Sequence, residues 1–279
     1  MSLAVVVLCA ILGFFVGSLA WIVARNQATQ RPLWGPPRCE TALGISISPK
    51  AQAAAATEGE TEPVVHATDP TSGCGAPLPT LAWLPLYGFG TAFRCPNCET
   101  RQSLWRATTE VLTALYFAIA ASRIGDGLHL TAVLIFTLPL LVIFLVDTWT
   151  RLIYTNVIYL GTAAGLIFAL AEGDLSELFK AVLAMIAALA VFLMFYFFAG
   201  VFYRSVKVVP FGRGDIYLAV MIASMVRLDG LVRALFLGIL LAAVGGLLLL
   251  ATKRVSRRQA MPYGPYLCLG ALIALIWQV

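Results

Sequence analysis

Asp147 and Asp215 are the residues of this chain best placed to do chemistry. Each stands where a long apolar run meets a short loop: Phe144-Leu145-Val146 leads into Asp147, and Gly212-Arg213-Gly214 precedes Asp215. The chain has only six aspartates, and an ionisable carboxyl at a membrane-like segment is costly enough to mark a functional position. Two carboxyls held close together cannot both ionise cheaply, so they share one proton and titrate as a unit. The ionised member takes a proton from water, and the protonated member polarises a carbonyl. That is the chemistry of peptide-bond hydrolysis. Gly212 and Gly214 shape the second position by opening backbone conformations closed to other residues. No serine, cysteine or histidine arrangement competes, because the only histidines are His66, in a polar stretch, and His129, at the opposite face. Taken singly, Asp147 reads equally as an interfacial helix end beside Arg151.

The elements that must hold these carboxyls are membrane helices. Hydrophobic residues make up 60% of the chain and charged residues 12%, against about 25% charge in a soluble domain; the mean hydropathy is +0.88. Apolar runs long enough for roughly 30 Å of hydrocarbon predict an all-α polytopic protein of about eight transmembrane helices. They lie near 3–24, 106–122, 129–147, 152–171, 178–202, 214–228, 231–252 and 262–278. The first run lacks a basic segment before it and is as long as a full span, so it reads as a helix rather than a signal peptide. The net charge of +5 is no nucleic-acid signal. Placing the first loop in the cytoplasm puts 15 of the lysines and arginines inside and 4 outside, a strong bias. It predicts both termini outside and both aspartates at the cytoplasmic face.

Three regions follow: a first helix at 1–25, a cytoplasmic cysteine-rich region at 26–104, and a helical domain at 105–279. Within the second, residues 45–72 are rich in Ala, Thr, Glu and Pro without apolar periodicity, and read as a disordered insertion. Cys39, Cys74, Cys95 and Cys98 flank it. Cys95-Pro96-Asn97-Cys98 is a knuckle spaced for two thiolates on one tetrahedral zinc. Three readings stay open: a closed four-cysteine structural zinc site, a two-cysteine remnant or a site completed by His66, and redox use. A cytoplasmic location argues against a structural disulfide. Cys9 and Cys268, inside apolar runs, read as packing residues. Pro79 to Gly88 is too short and proline-broken to span, and reads as an amphipathic segment on the membrane surface. Gly13, Gly17 and Ser18 suit close helix packing. Glu110, one turn into the second helix, reads either as a solvated carboxylate near Arg106 or as a site-lining residue. Met261-Pro262-Tyr263-Gly264-Pro265-Tyr266 opens the last helix as a re-entry into the membrane.

In this order and over nearly the whole chain, these features resemble the type IV prepilin peptidases. Gly17-Ser18 with Arg25 resembles the family's first-helix signature. The four cysteines resemble its zinc domain, and Leu81-Ala82-Trp83-Leu84 with Gly88 the segment between its cysteine pairs. Glu110 falls at a family glutamate. Asp147 matches the first catalytic aspartate and Gly212-Arg213-Gly214-Asp215 the GxGD motif of the second. Met261-Pro262-Tyr263-Gly264-Pro265 is similar to the segment before the family's last helix. The resemblance implies an aspartic endopeptidase of the bacterial inner membrane. Its substrate would be a prepilin or pseudopilin with a basic leader and a membrane helix. It also implies structural zinc and, in many members, N-methylation of the new terminus with S-adenosylmethionine. Three positions depart from the pattern: Tyr154 replaces a proline, Tyr217 a lysine and Trp21 an asparagine. The rival readings are a non-catalytic pilus or secretion assembly protein, and a transporter that relays protons through membrane carboxylates. Two carboxyls at one face, joined to GxGD, and no evident inverted repeat favour the peptidase.

Overall fold

The structure is a computed structural model that describes residues 3–29, 31–39, 76–85, 95, 97–98, 104–124, 127–172, 175–202, 212–252 and 262–277. Seven helices account for most of them: α1 (Leu3–Ala28), α2 (Leu104–Ile124), α3 (Leu128–Thr150), α4 (Thr155–Ala171), α5 (Leu175–Phe202), α6 (Arg213–Ala251) and α7 (Gly264–Ile276). Among the described residues there is no strand, only an isolated antiparallel bridge between Arg38 and Pro77. Among the described residues four helices are long and apolar enough to cross a membrane: Leu3–Ala28, Leu128–Thr150, Leu175–Phe198 and Arg213–Leu248. Shorter apolar helices run over Thr155–Ala171 and Gly264–Ile276.

The expected sixth and seventh helices are one element broken at a point. Arg227 has φ 53 and ψ −170 inside α6, dividing it into a first arm over 213–226 and a second over 228–251. With that break counted, eight rods correspond to the eight apolar runs. The turn takes one residue rather than a loop.

The chain divides into two compact units, Met1–Gly125 and Asp126–Val279. In the first, α1 lies along α2 with two glycines at the crossing. A Cβ on Gly13 would stand 2.6 Å from the Ala114 Cα, and one on Gly17 would stand 2.8 Å from the Glu110 Cα. Small residues four apart let the two backbones approach this closely. A 3₁₀ turn at Thr80–Trp83 follows, with Ala82 buried and Leu81 exposed.

In the second unit, the first arm of α6 is the central rod. Leu218, Ala219, Met221, Ile222, Ala223 and Val226 on it are all fully buried, an apolar surface around the whole circumference. α4 packs on this arm, where a Cβ on Gly165 would stand 2.9 Å from the Ser224 backbone. The second arm packs on α7, where a Cβ on Gly238 would stand 3.0 Å from the Leu267 Cα. α5 keeps Phe179, Ile186, Phe197 and Phe198 exposed, as expected of a surface solvated by hydrocarbon.

Candidate active site

Asp147 sits in the last turn of α3, and its residue is 3% exposed. The helix ends on Arg151 in the left-handed conformation, φ 56 and ψ 28, whose N–H donates to the Asp147 carbonyl at 2.9 Å. The chain is then extended at Tyr154 and turns into α4. A left-handed residue just past a helix closes its last carbonyls, so the helix end fixes the backbone of Asp147.

Asp215 lies in the first turn of α6 and is 8% exposed. The Gly212 N–H donates to its Oδ2 at 3.1 Å, and the Asp215 N–H donates to the Gly212 carbonyl at 3.2 Å. This is one half of a capping box, in which a first-turn acid reaches back to the N–H of the residue that starts the helix; Gly212, without a side chain, answers with its backbone carbonyl. Gly214 is required by contact: a Cβ there would stand 3.0 Å from the Ile153 Cβ. The glycines of GxGD therefore do separate work. Gly212 supplies the donor, and Gly214 admits the segment that follows Asp147.

The two carboxyls are near enough to act on each other electrostatically. The Gly264 backbone lies against the Asp147 carboxyl, leaving no room for a Cβ at that position. Asp147 Oδ2 is buried with no hydrogen-bond partner among the described residues. One turn beyond Gly264, Cys268 is fully buried and within electrostatic reach of both aspartates. α3, α6 and α7 thus converge on one buried acidic centre within a single compact unit. Such a centre can hold one proton between two carboxyls and bring an unsatisfied oxygen to a reacting group.

Gly264 and Cys268 were read from sequence as a helix opening and a packing residue. The available signal was their spacing of four, which puts both on one face of α7. Of the departures from the resembled pattern, Tyr154 has its hydroxyl buried, Tyr217 is 49% exposed and Trp21 is buried.

Glu110 belongs to the first unit and is fully buried there. The Arg106 Nε donates to its Oε1 at 2.9 Å. The guanidinium also donates to Ser18 Oγ at 2.5 Å, to the Ala82 carbonyl at 2.8 Å and to the Leu84 carbonyl at 3.1 Å. The network ties α1, the 3₁₀ turn and α2 together.

The same unit gathers cysteines. The Sγ atoms of Cys39, Cys95 and Cys98 all lie within 4.8 Å of one another, and those of Cys39 and Cys98 are 3.4 Å apart. Tetrahedral zinc with sulfur at about 2.3 Å separates its ligands by about 3.8 Å, so the group is sized for a metal ion. Backbone pairing closes the long connection between the cysteines. The Cys39 N–H donates to the Ala76 carbonyl at 2.9 Å and the Leu78 N–H to the Pro37 carbonyl at 2.8 Å. Cys74, the expected fourth ligand, lies outside the described residues, as do His66 and the 45–72 insertion.

A family model described as "Type IV leader peptidase family" matches residues 134–247, which include both aspartates. The chain is 26% identical to a Pseudomonas putida protein named "Prepilin leader peptidase/N-methyltransferase", over 98% of this chain and 90% of the relative. A Pseudomonas aeruginosa protein of the same name is also 26% identical, over 97% and 90%. One from Bacillus subtilis is 27% identical, over 66% and 71%. No solved structure matches.

Proposed function

We propose that the chain is a member of the type IV leader peptidase family and a membrane aspartic endopeptidase that removes the leader of prepilins or pseudopilins, with Asp147 and Asp215 as the catalytic pair. The observation that carries the reading is the convergence of two buried carboxyls from separate helices, one keeping an oxygen without a hydrogen-bond partner among the described residues. The pair shares one proton. The ionised carboxylate takes a proton from the attacking water, and the protonated partner donates to the carbonyl oxygen of the scissile bond. When the intermediate collapses, the first aspartate returns its proton to the departing amine. Gly212 and Gly214 hold Asp215 in register for both steps.

The substrate would present a basic leader at the cytoplasmic face of the inner membrane and an apolar helix within it. Both termini of the enzyme would lie outside, with the cysteine-rich region in the cytoplasm, as the distribution of basic residues supports. Cys39, Cys95 and Cys98, with Cys74 as the fourth ligand, would hold zinc in a closed site. Bound there, the ion contributes folding energy and leaves no position for a catalytic water. Zinc content per chain would fall on Cys98→Ser if the site is metallated. The relatives' names couple cleavage to N-methylation. S-adenosylmethionine would supply the methyl group for that second activity.

The test is co-expression with a candidate prepilin from the same genome, with leader loss followed by mass spectrometry. Cleavage by the wild type, lost in both Asp147→Asn and Asp215→Asn variants that still insert, is the expected result. Cleavage that persists in both would sink the aspartate mechanism. An added methyl mass on the product would report the second activity in the same spectrum.

A further inference from the structure

Among the described residues only Arg151 and Arg227 combine a side chain with positive φ. Arg151 has the ordinary geometry of a helix end, whereas Arg227, at φ 53 and ψ −170, lies in backbone space that is essentially reserved for glycine. A residue persists there only where its surroundings over-determine it. At Arg227 the surroundings are acidic: Glu172 and Glu177 bind its guanidinium and Asp229 lies within electrostatic reach, while Lys180 pairs with Glu177 and Asp229. Its guanidinium grips both carboxylate oxygens of Glu172, at the end of α4, and donates to the Glu177 Oε2 in the first turn of α5 at 2.8 Å. The Arg227 side chain is 15% exposed and those of Glu172 and Glu177 are 26% and 21% exposed, so the cluster is partly shielded from water.

This cluster terminates the arm that carries Asp215. From Asp215 to Arg227 is a rigid helical rod of about 18 Å, gripped by α4 through Gly161 and Gly165. Beyond Arg227, the second arm braces α7, whose Gly264 backs Asp147. The break is thus the joint between the arm holding one aspartate and the arm supporting the other's neighbour. We propose that Arg227 is a positioning residue: clamped by Glu172 and Glu177 at the far end of the rod, it fixes the axial position of Asp215 against Asp147. The consequence for cleavage rests on the peptidase reading above. The positional claim stands on the structure of the unit alone.

The test uses the full chain in detergent, the prepilin that the wild type cleaves, and hydrogen–deuterium exchange. Arg227→Gly keeps the unusual backbone without strain and removes the clamp. Arg227→Lys keeps charge but not the bidentate grip. Arg227→Gly is expected to raise exchange at residues 212–216, remote from the substitution, and to lower kcat at least tenfold with KM little changed; Arg227→Lys is expected to recover part of both. Glu172→Gln and Glu177→Gln, milder changes in case Arg227→Gly inserts poorly, should each produce a smaller shift of the same sign. Exchange confined to the neighbourhood of residue 227, or wild-type behaviour of Arg227→Gly, would overturn the inference. If the wild type cleaves no prepilin, the peptidase reading fails while the exchange data still decide the positional claim.

Discussion

Arg106 and Glu110 in the first unit, Asp147 and Asp215 in the second, are four ionisable side chains withdrawn from solvent, and among the described residues only the first two form an ion pair. Arg106 meets a carboxylate, a hydroxyl and two carbonyls. The aspartates meet each other, a few backbone groups and the more distant charge of Arg151, and Asp147 Oδ2 has no hydrogen-bond partner among the described residues. A buried ion is tolerated when paired and hydrogen-bonded, and is strongly destabilising when its partner is removed. A fully satisfied network fixes structure, because any change to it costs free energy. Two buried carboxyls that hold one proton between them have the opposite character: they are suited to take or give a proton.

The largest effect expected from breaking this contrast is on activity. On the proposed mechanism, Asp147→Asn or Asp215→Asn removes the proton exchange and should lower cleavage by about 10²–10⁴-fold or more, while thermal unfolding in detergent stays unchanged or rises slightly. A variant that lost activity only because it unfolded would erase the distinction between the two sites.

The matched pair should respond the other way. Arg106→Met withdraws the cation from Glu110 and is expected to destabilise the first unit by about 3–5 kcal/mol. Amide exchange across α2 reads this directly. Adding Glu110→Leu to Arg106→Met should restore much of the protection, since an apolar pair of similar volume often replaces a buried ion pair without loss. If Arg106→Met left α2 protected, the network would not be the structural tie described above.

What the sequence discloses depends on how far apart the contributing residues lie. The apolar runs specify their own helices, so element number and type are legible. The two aspartates are legible because each carries a local signature, a helix end or the glycines of GxGD. The i,i+4 spacing of Arg106 and Glu110 is equally plain. Their burial is not, because Ser18 and the Ala82 carbonyl reach Arg106 from 88 and 24 residues away. The one-residue turn at Arg227 is illegible for a related reason. The apolar runs place a boundary between 228 and 231, but Glu172 and Glu177, some 50 residues upstream, hold the arginine in a backbone conformation it would otherwise avoid. Gly264 and Cys268 join the acidic centre through tertiary packing of α7 alone.

A single type of substitution, glycine to alanine, sharpens the comparison further. At Gly17 the new methyl meets the Glu110 Cα at 2.8 Å. Backbone cannot step aside, so α1 and α2 must separate, at about 1–3 kcal/mol for overpacking. Exchange in α2 should rise, with little change in kcat. At Gly264 the methyl instead meets the carboxyl of Asp147, a group that can rotate away. The fold then survives and the carboxyl moves. A displacement of about 1 Å at a reacting group is worth about 10²-fold in rate, so Gly264→Ala should lose activity on that scale while keeping its unfolding midpoint. Parallel kcat and exchange measurements on the two alanine variants separate these outcomes. Equal loss of activity in both would mean that the acidic centre depends on the packing of α1 and α2 as closely as on its own helices.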